Sequence, residues 1–457
     1  MLKKILIANR SEIALRIIRS ARELSIKTAV IYAKEDEDNL FVKLADEAIC
    51  IGSIRDTLVY LDADKIIKIA KEIQADAIHP GYGYLSENSE FIAKVEKSGL
   101  IFIGPRSETV KLLGDKINAR NIAKNSGVEV VNGSECIKNL EMAKDISKNI
   151  GYPILLKARN GGGGKGIRLI KTEKELIENF EITKAEVKKA FGDDGIYIEK
   201  YIENPKHIEV QILADKYKNI VSLGIRNCSI QLDNQKMIEE SFDNILDKDT
   251  THNLNDMAIK IAKSVNYQSA GTVEFLVDKD NNIFFIEMNT RIQVEHPVTE
   301  MTTGIDIVKE QIKIANGKKL NKDISIRGHS IEVRIIAKDP INNFFPSCEQ
   351  IKFLHLPQGM GVRIDTEIFS GYKVSPYFDG MLAKIIVQAD TRMEAIRKLR
   401  RVLEEIIIEG VKTNIWFLYA ITYDFDFIRG RYSTKFINDK KEYLIDRVMV
   451  YDKLLEK

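Results

Sequence analysis

The sequence predicts an α/β protein of about three domains that begins with a doubly wound parallel sheet. The chain has 457 residues, and compact domains average roughly 150 residues each. Short apolar runs alternate with amphipathic segments through the first hundred residues, which is typical of a parallel sheet with helical crossovers. From about residue 317 onward, strand and helix signals are mixed, which favours a separate mixed α/β domain.

The predicted elements of the first part follow one another at short intervals. An apolar run predicts a strand at 4–8, and apolar residues at helical spacing predict a helix over 11–24. The remaining predicted elements are a strand at 28–32, a helix around 63–73, and strands at 77–78 and 101–103. No G-x-G-x-x-G pattern follows the first strand, so a dinucleotide site is not expected there.

Further turn, strand and helix signals occur from residue 79 to the last part of the chain. His79 to Tyr84 form a Gly/Pro-rich turn after a strand, which is where open α/β sheets place ligand contacts, although a tight structural turn explains it equally well. A helix begins near Gly114, and 152–157 predict a strand that ends in a lysine. Later segments predict strands near 331–336 and 382–388 and a helix near 393–408.

Charge and composition argue against several classes of protein. Sixty-nine basic and 67 acidic residues leave a net charge of +2, whereas nucleic-acid binders normally carry a basic excess. No apolar stretch approaches the roughly 18 residues of a membrane span, and the apolar run after the basic start is too short for a signal peptide. The cysteines are far apart, so free thiols in a reducing cytoplasm are expected rather than a zinc site or disulfides: Cys50, Cys136, Cys228 and Cys348.

Four consecutive glycines, Gly161 to Gly164, are the first sign of a binding site. Such a run is entropically costly to order, and its usual purpose is to bring backbone N–H groups close to an anion such as phosphate. A flexible linker is the alternative, but strand-like segments flank the run, and Lys157 and Lys165 bracket it. No Walker A pattern fits, so the run predicts a different kind of phosphate contact.

Two strands at 271–277 and 282–289 predict a hairpin with a turn between them. If the turn is centred between Asp280 and Asn281, Glu274 and Glu287 stand directly opposite on one face, with Cβ atoms about 5 Å apart. A slip of one residue would undo this pairing.

Facing carboxylates in an apolar hairpin are destabilising unless a cation or a proton lies between them. Asn289 lies two residues beyond Glu287 and therefore points to the same face. Two carboxylates and an amide oxygen suit Mg²⁺ or Mn²⁺ that also holds phosphates. A solvated polar face is the alternative, but the apolar neighbours on both strands favour burial and hence a metal site.

Arg291, Gln293 and Glu295 continue the same alternation beyond the hairpin. An arginine fork, an amide and a carboxylate beside a metal can bind a small oxyanion and remove its proton.

Together these residues resemble the biotin carboxylase family of the ATP-grasp superfamily. The resemblance covers about residues 1 to 445, and its most specific block runs from Glu287 to Glu300. The other matching motifs are Ala8-Asn9-Arg10-x-Glu12-Ile13-Ala14, His79-Pro80-Gly81-Tyr82-Gly83, Gly114-Asp115-Lys116 and Lys412-Thr413-Asn414.

The resemblance implies a three-part architecture. The implied parts are an N-terminal Rossmann-like, pre-ATP-grasp domain at 1–114, an ATP-grasp domain at 115–317 with a mobile lid at about 132–203, a C-terminal mixed α/β domain at 318–447 and a tail at 448–457. The closing lid would cover ATP and exclude water.

The resemblance also implies a two-step reaction. ATP phosphorylates bicarbonate to carboxyphosphate, whose CO₂ then carboxylates N1′ of biotin on a separate carrier protein. The implied cofactors are ATP, Mg²⁺ or Mn²⁺ (two ions) and the carrier's biotin. Glu295 resembles the base that deprotonates bicarbonate, and Arg334 the group that steadies the biotin enolate.

The other site residues are carried over from the family position by position. Residues resembling nucleotide-binding positions are Lys116, Lys157, Gly163, Gly164, Glu199, Lys200, Ile202, His207, Gln231 and Asn234, with Glu274 and Glu287 holding the nucleotide's metal. The implied metal ligands are Glu274, Glu287 and Asn289. The implied bicarbonate site is Lys236, Arg291, Gln293 and Val294. The segment from Glu199 to Ile202 would present backbone groups to adenine.

Departures from the family fall near this chemistry. Leu232, Asp233 and Asn234 replace an Arg-Arg-His sequence, and the added negative charge should weaken phosphate binding. Other departures are Ser11, Arg159, Asn160, Ser241, Phe242, Ile336 and Lys338. Two alternatives to a working biotin carboxylase therefore remain: a weakened paralogue that serves in binding or regulation, and a carboxylase acting on urea or another amide. Retention of the lysines, the metal carboxylates and Glu295 favours the working enzyme.

The resemblance further implies a set of partners. These are a biotin carboxyl carrier protein, carboxyltransferase subunits and a second copy of the chain in a homodimer. Neither a Met-Lys-Met biotinylation motif nor a transferase domain occurs before Lys457, so separate carrier and transferase chains are expected. The final acceptor of the carboxyl group is left open among acetyl-CoA, propionyl-CoA and pyruvate. Acetyl-CoA is the first expectation.

Overall fold

The computed structural model describes residues 2–55, 58–159, 166–241 and 246–455. Its N-terminal part consists of β1 (Lys4–Ile7), α1 (Ser11–Glu23), β2 (Lys27–Tyr32), α2 (Leu40–Leu44), β3 (Glu47–Cys50), α3 (Ala63–Glu72), β4 (Ala77–His79), α4 (Ser89–Lys97), β5 (Ile101–Phe102) and α5 (Ser107–Gly114). The strands form one parallel sheet in the order β3-β2-β1-β4-β5. The predicted doubly wound sheet is confirmed, and the apolar stripe of α1 is buried as the helical spacing predicted.

The central part contains α6 (Lys116–Asn125), α7 (Leu140–Ile150), β6 (Ile154–Ala158), β7 (Ile167–Ile170), α8 (Glu173–Phe191), β8 (Ile196–Lys200), β9 (Lys206–Ala214), β10 (Ile220–Leu232), β11 (Gln235–Ser241), α9 (Lys248–Ser264), β12 (Ser269–Val277), β13 (Ile283–Asn289), α10 (His296–Thr303) and α11 (Ile307–Ala315). Strands β7, β6 and β8 form a small antiparallel sheet with its own apolar core against α7 and α8. The predicted strand at 152–157 is β6. The glycine run lies between β6 and β7, and Gly163 and Gly164 are outside the described residues.

The last part contains β14 (His329–Ile336), β15 (Lys338–Asp339), β16 (Phe345–Pro346), β17 (Phe353–His355), β18 (Val362–Thr366), β19 (Met381–Ala389), α12 (Arg392–Glu405), β20 (Ile407–Glu409), α13 (Ile415–Thr422), α14 (Phe425–Ile428) and α15 (Phe436–Leu455). The predicted strands near 331–336 and 382–388 and the helix near 393–408 correspond to β14, β19 and α12.

One antiparallel sheet of eight strands joins the central and last parts. Its order is β13-β12-β9-β10-β11-β14-β19-β18. Strand β11 pairs with β14 across the boundary expected at residue 317. Side chains of the two parts therefore share one sheet face, which is where the polar residues converge.

Burial of apolar faces holds these layers together. Apolar residues of β9, β12 and β13 pack against α6 and α9, while those of β14 and β19 pack against α12 and α13. No helix in the described part of the chain combines the length and the apolar character that crossing a bilayer requires.

Candidate active site

The predicted opposition of Glu274 and Glu287 is confirmed. The two residues are direct partners in the antiparallel pairing of β12 with β13. The assumed turn centre was wrong by half a residue, because Val277 pairs with Ile283 next to the turn. A β-bulge beyond Glu274 takes up the difference and restores the predicted pair.

The Glu274 carboxylate is buried and fully engaged. Its Oε1 accepts hydrogen bonds from Asn289 Nδ2 at 2.7 Å, Gln293 Nε2 at 3.1 Å and Lys236 Nζ at 3.2 Å. Its Oε2 lies 2.8 Å from His207 Nε2. Burial alone would raise the pKa of this carboxyl, but Lys236 and His207 outweigh burial and hold the pKa well below its usual range.

Glu287 has a different partner and is less enclosed. Lys116 Nζ lies 2.7 Å from its Oε2, and the Glu287 side chain is 25% exposed. Burial lowers the pKa of Lys116, but the attraction of Glu287 outweighs it, so the pKa is raised overall and this lysine is charged. Each of the two facing carboxylates thus has its own lysine partner, Lys236 for Glu274 and Lys116 for Glu287, which compensates its negative charge.

The predicted metal ligands fit a hard divalent cation. Glu274, Glu287 and Asn289 provide oxygen donors on neighbouring strands, which is the donor set that Mg²⁺ and Mn²⁺ prefer. A second group of donor atoms, from His207, Glu209 and Glu274, lies within 4.8 Å of one another. Lys236 forms ion pairs with both acids of that second group. The negative charge of the group is therefore compensated without a metal ion.

Glu295 is held between two cations at the start of α10. Lys236 Nζ lies 2.7 Å from its Oε1, and Arg334 Nη2 lies 3.1 Å from its Oε2. Burial would raise the pKa of Glu295, but Lys236, Arg334 and Arg226 outweigh it and lower the pKa well below its usual range. The group is therefore an ionised carboxylate at neutral pH, as a base must be.

Arg291 is oriented by three side chains. Its guanidinium donates to Gln293 Oε1 at 2.7 Å, to Asn289 Oδ1 at 3.0 Å and to Glu87 Oε2 at 2.8 Å. The neighbouring Val294 carbonyl accepts a hydrogen bond from Lys384 Nζ at 2.9 Å. Of the predicted oxyanion residues, Arg291, Gln293 and Lys236 are therefore linked by hydrogen bonds through Glu274 and Gln293, while Val294 is bonded separately to Lys384.

A second ion-pair group lies on the small sheet. Lys157 Nζ is 2.8 Å from Glu199 Oε2, and Arg120 pairs with the other oxygen of the same buried carboxylate. Lys200 Nζ donates to the carbonyls of Gly151 and Tyr152 at 3.0 and 3.1 Å, and Ile202 is half-buried just after β8. The Glu199 side chain is thus a structural anchor for Lys157.

The segment that departs from the family forms the tip of the β10–β11 hairpin. Asp233 and Asn234 have φ of 50° and 62° and are exposed, a conformation that Asp and Asn adopt more readily than most residues. Leu232 is buried in the apolar core. Gln231 Nε2 contacts His207 Nδ1 at 2.7 Å, so the base of the hairpin is tied to the site while its tip faces solvent.

Sequence reasoning missed three acidic or basic side chains that organise the site. Glu209 pairs with Lys236 and Arg226, Glu87 orients Arg291, and Arg120 shares Glu199 with Lys157. A signal for Glu209 was available, because the alternation of His207, Glu209 and Gln211 places three polar residues on one face of a buried strand. Nothing local in the sequence marks Glu87 or Arg120.

Cys228 lies next to this cluster. It is fully buried, and burial together with Glu209 raises the pKa of the thiol well above its ordinary value. The expectation of an unreactive buried cysteine agrees with these surroundings.

Three family models match successive parts of the chain. Residues 1–110 match the biotin carboxylase N-terminal domain, 115–323 the ATP-binding domain of the carbamoyl-phosphate synthase L chain, and 332–439 the biotin carboxylase C-terminal domain.

Curated relatives and solved structures cover nearly the whole chain. Biotin carboxylase 1 of Bacillus subtilis is 48% identical over 442 residues, which is 96% of this chain and 98% of the relative. The 2-oxoglutarate carboxylase small subunit of Hydrogenobacter thermophilus is 47% identical over 96% of this chain and 94% of the relative.

Two solved structures share the fold throughout. The biotin carboxylase domain dimer of the Hydrogenobacter thermophilus 2-oxoglutarate carboxylase, in complex with MgADP, ADP and bicarbonate, has a TM-score of 0.95 at 46% identity and covers 97% of this chain and 99% of that one. Campylobacter jejuni biotin carboxylase in a β-γ-ATP complex has a TM-score of 0.94 at 44% identity, covering 96% and 99%.

Proposed function

The chain belongs to the biotin carboxylase family, and we propose that it catalyses the ATP- and bicarbonate-dependent carboxylation of biotin. The observation that carries this proposal is the position of Glu295. A buried, ionised carboxylate held by Lys236 and Arg334 lies beside Glu274 and the Arg291 group. This is the arrangement that deprotonation of a small, bound oxyanion requires.

In the proposed mechanism, cations of this chain bind and orient bicarbonate. Arg291 offers a guanidinium fork fixed by Glu87 and Gln293, and Lys236 supplies an ammonium group next to Glu295. Glu295 takes the bicarbonate proton on a carboxylate oxygen, so that the oxyanion becomes a stronger nucleophile toward the terminal phosphate of ATP. A single preorganised donor of this kind contributes about 3–4 kcal/mol to catalysis.

Lysines and metal ligands would hold the nucleotide. Lys116 and Lys157 are the proposed phosphate-binding cations, with the segment from Glu199 to Ile202 near adenine and His207, Gln231 and Asn234 as further nucleotide contacts. Glu274, Glu287 and Asn289 would hold Mg²⁺ or Mn²⁺, which when bound neutralises charge on the phosphates. Gly163 and Gly164 remain proposed lid residues that contact phosphate.

Arg334 is the proposed contact for biotin. Its side chain is 17% exposed and its guanidinium is anchored by buried carboxylates, so it can face an entering substrate while it keeps a fixed position. We propose that it stabilises the negative charge that develops on the ureido oxygen of biotin.

The partners are part of the proposal. The Hydrogenobacter relative is one component of a 2-oxoglutarate carboxylase, and a relative from Methanothermobacter thermautotrophicus is one component of a pyruvate carboxylase. These names support a role for this chain in a larger carboxylase. We propose a biotin carboxyl carrier protein and carboxyltransferase subunits as partners, a homodimer as the assembled form and the cytoplasm as the location. The acyl acceptor stays open among acetyl-CoA, propionyl-CoA and pyruvate.

The division of the chain is also proposed, with domains at 1–114, 115–317 and 318–447 and a lid at about 132–203. The separate apolar core of the small sheet supports a lid that moves as one body.

The test is release of ADP from ATP with Mg²⁺, bicarbonate and free biotin. The proposal expects ADP release that depends on bicarbonate, together with formation of carboxybiotin. No ADP above background, with ATP binding retained, would support a role in binding or regulation instead. Faster turnover with urea than with biotin would point to an amide carboxylase.

A further inference from the structure

A row of ionisable side chains crosses the eight-stranded sheet. Glu274 on β12 is the register partner of Glu209 on β9, and Glu209 is the partner of Arg226 on β10. Farther along the same sheet, Glu239 on β11 is the direct partner of Glu332 on β14. The first three residues belong to the site described above, whereas the Glu239–Glu332 pair touches it only through the contact of Glu239 with Arg334.

The Glu239–Glu332 pair is exceptional because both carboxylates are completely buried and poorly satisfied. Glu239 and Glu332 are each 0% exposed. No residue in the described ranges donates a well-aligned hydrogen bond to any of their four carboxylate oxygens. Arg334 Nη2 lies 2.5 Å from Glu239 Oε1 as an ion pair. Two buried acids that face each other cannot both ionise without a large energetic cost.

Nearby cations do not supply enough positive charge for both acids. Arg334 is shared between Glu239 and Glu295. Lys384, on the neighbouring strand β19, lies 3.2 Å from Glu12 and 4.0 Å from Asp365. Lys236 is already surrounded by Glu209, Glu274 and Glu295.

The remaining titratable neighbours add no further positive charge. Cys228 on β10 and Tyr82 from the N-terminal domain interact electrostatically with this pair. Both have a pKa above its ordinary value, because burial dominates. Thus Lys236, Arg334 and Lys384 are the cations that act most strongly on the pair, and the acids around these three cations outnumber them.

We propose that Glu239 and Glu332 share one proton above neutral pH and bind a second one below it, and that this pair acts as a positioning device for Arg334. The inference rests on the proposed function in one respect, since Arg334 is taken as the biotin contact. When Glu239 is protonated, Arg334 keeps Glu295 as its only ionised partner and its guanidinium is free to meet substrate. When Glu239 ionises, two carboxylates hold Arg334 and draw it toward the sheet.

The electrostatics of the pair agree with this geometry. Burial raises the pKa of Glu239 to about 7, with Arg334 opposing and Glu295 adding to the shift. Burial also raises the pKa of Glu332 well above its ordinary value, and the facing Glu239 adds to this. The pair therefore holds a proton more tightly than free glutamates do, a second proton binds as the pH falls through about 7, and the two residues behave as one coupled pair.

The proton is tested directly by infrared spectroscopy on the full chain, without substrates. The probe is the C=O absorption of a protonated carboxyl group, compared between the wild type and Glu332→Gln above neutral pH. We expect a carboxylic-acid band in the wild type that the variant lacks. A difference spectrum without that band would overturn the shared proton, whatever the outcome of the ADP-release assay.

The positioning role is tested by the pH profile of kcat/KM for free biotin at saturating ATP and bicarbonate. In the wild type, kcat/KM should fall as the pH rises through about 7. Glu239→Gln should remove this descending limb of the pH profile. Glu332→Gln should keep this limb, because a neutral amide replaces a neutral acid beside Glu239 and can likewise donate a hydrogen bond to it. The KM for ATP should change in neither variant.

A matched control separates this role from loss of structure. Glu367→Gln alters another buried glutamate whose pKa burial raises to about 7, but that residue lies outside the cluster, so its variant should keep the wild-type limb. A folded Glu239→Gln variant with the wild-type profile would refute the positioning role. If the wild type releases no ADP in response to bicarbonate, the proposed function fails, and the infrared result alone decides whether the proton is shared.

Discussion

Lys236 Nζ lies 2.7 Å from Glu295 Oε1, and this ion pair joins strand β11 to the residue that precedes helix α10. The contact places a cation and a base side by side in a buried site. Because both groups are charged at neutral pH, the cation can hold bicarbonate while the carboxylate accepts its proton.

Replacement of the base should abolish most of the activity. Glu295→Gln keeps the size of the side chain but cannot accept a proton, and loss of a positioned base costs about 10²–10⁴-fold in rate. The measurement is bicarbonate-dependent ADP release. Glu367→Gln provides the control, as a buried glutamate outside this cluster. A Glu295→Gln rate within a few-fold of the wild type would contradict the assignment of the base.

Loss of one facing carboxylate should weaken binding of the metal–nucleotide complex. Glu287→Gln removes a charged oxygen donor, so the rise in melting temperature that MgATP produces should shrink. In the wild type, a saturating ligand at 100 times its Kd stabilises the fold by about 2.7 kcal/mol. Thermal shift with MgATP, with and without EDTA, measures the effect. The assignment fails if Glu287→Gln responds to MgATP as strongly as the wild type does.

The hairpin tip should lower affinity for ATP through its charge. Asp233→Asn removes one negative charge and keeps a residue that tolerates the positive φ of 50°. Since exposed charges act weakly, we expect the KM for ATP to fall about twofold at low salt and to return toward the wild-type value at high salt. Asp280→Asn, in the exposed turn of the other hairpin, is the control. Equal effects of both substitutions would show that the position of Asp233 does not matter.

Glu367 should make stability depend on pH in a defined window. Burial raises its pKa to about 7 from the ordinary 4.5, although Arg10 opposes the shift. The folded state then binds more protons than the unfolded chain between these values. The stabilising contribution is therefore complete below about pH 4.5 and is lost as the pH rises to 7.

Glu367→Gln preserves a neutral side chain at every pH. It should gain up to about 3 kcal/mol over the wild type above neutral pH and nothing at acid pH. Denaturation measured at several pH values gives the difference. A gain that is the same at acid and neutral pH would show that ionisation of Glu367 is not its cause.

Local patterns predicted the elements that build the site. Alternating apolar runs predicted β1, α1, β2 and the neighbouring elements, because burial of one face imposes a period of 2.0 or 3.6 residues. The hairpin prediction found the Glu274–Glu287 pair, since that pairing depends on a short connection. Its exact centre was wrong, because a bulge is set by packing against the next strand rather than by the turn.

Local sequence patterns could not predict contacts between residues that lie far apart in the chain. Glu239 and Glu332 lie far apart in the chain and become partners only because β11 lies beside β14. Glu87 reaches Arg291 from the N-terminal domain. Neither contact leaves a periodic signal, because each depends on the order of strands or on the docking of one part against another.

By itself, the sequence determined the type and order of the elements, the acidic hairpin pair and the residues that resemble a biotin carboxylase site. The tertiary structure alone decided which charges neutralise one another, namely Lys236 with three acids and Glu199 with Lys157 and Arg120. It alone also placed Glu239 opposite an equally buried acid. The physical reason is that ionisation depends on distance and burial, and both are fixed only when strands far apart in the chain are packed into one sheet.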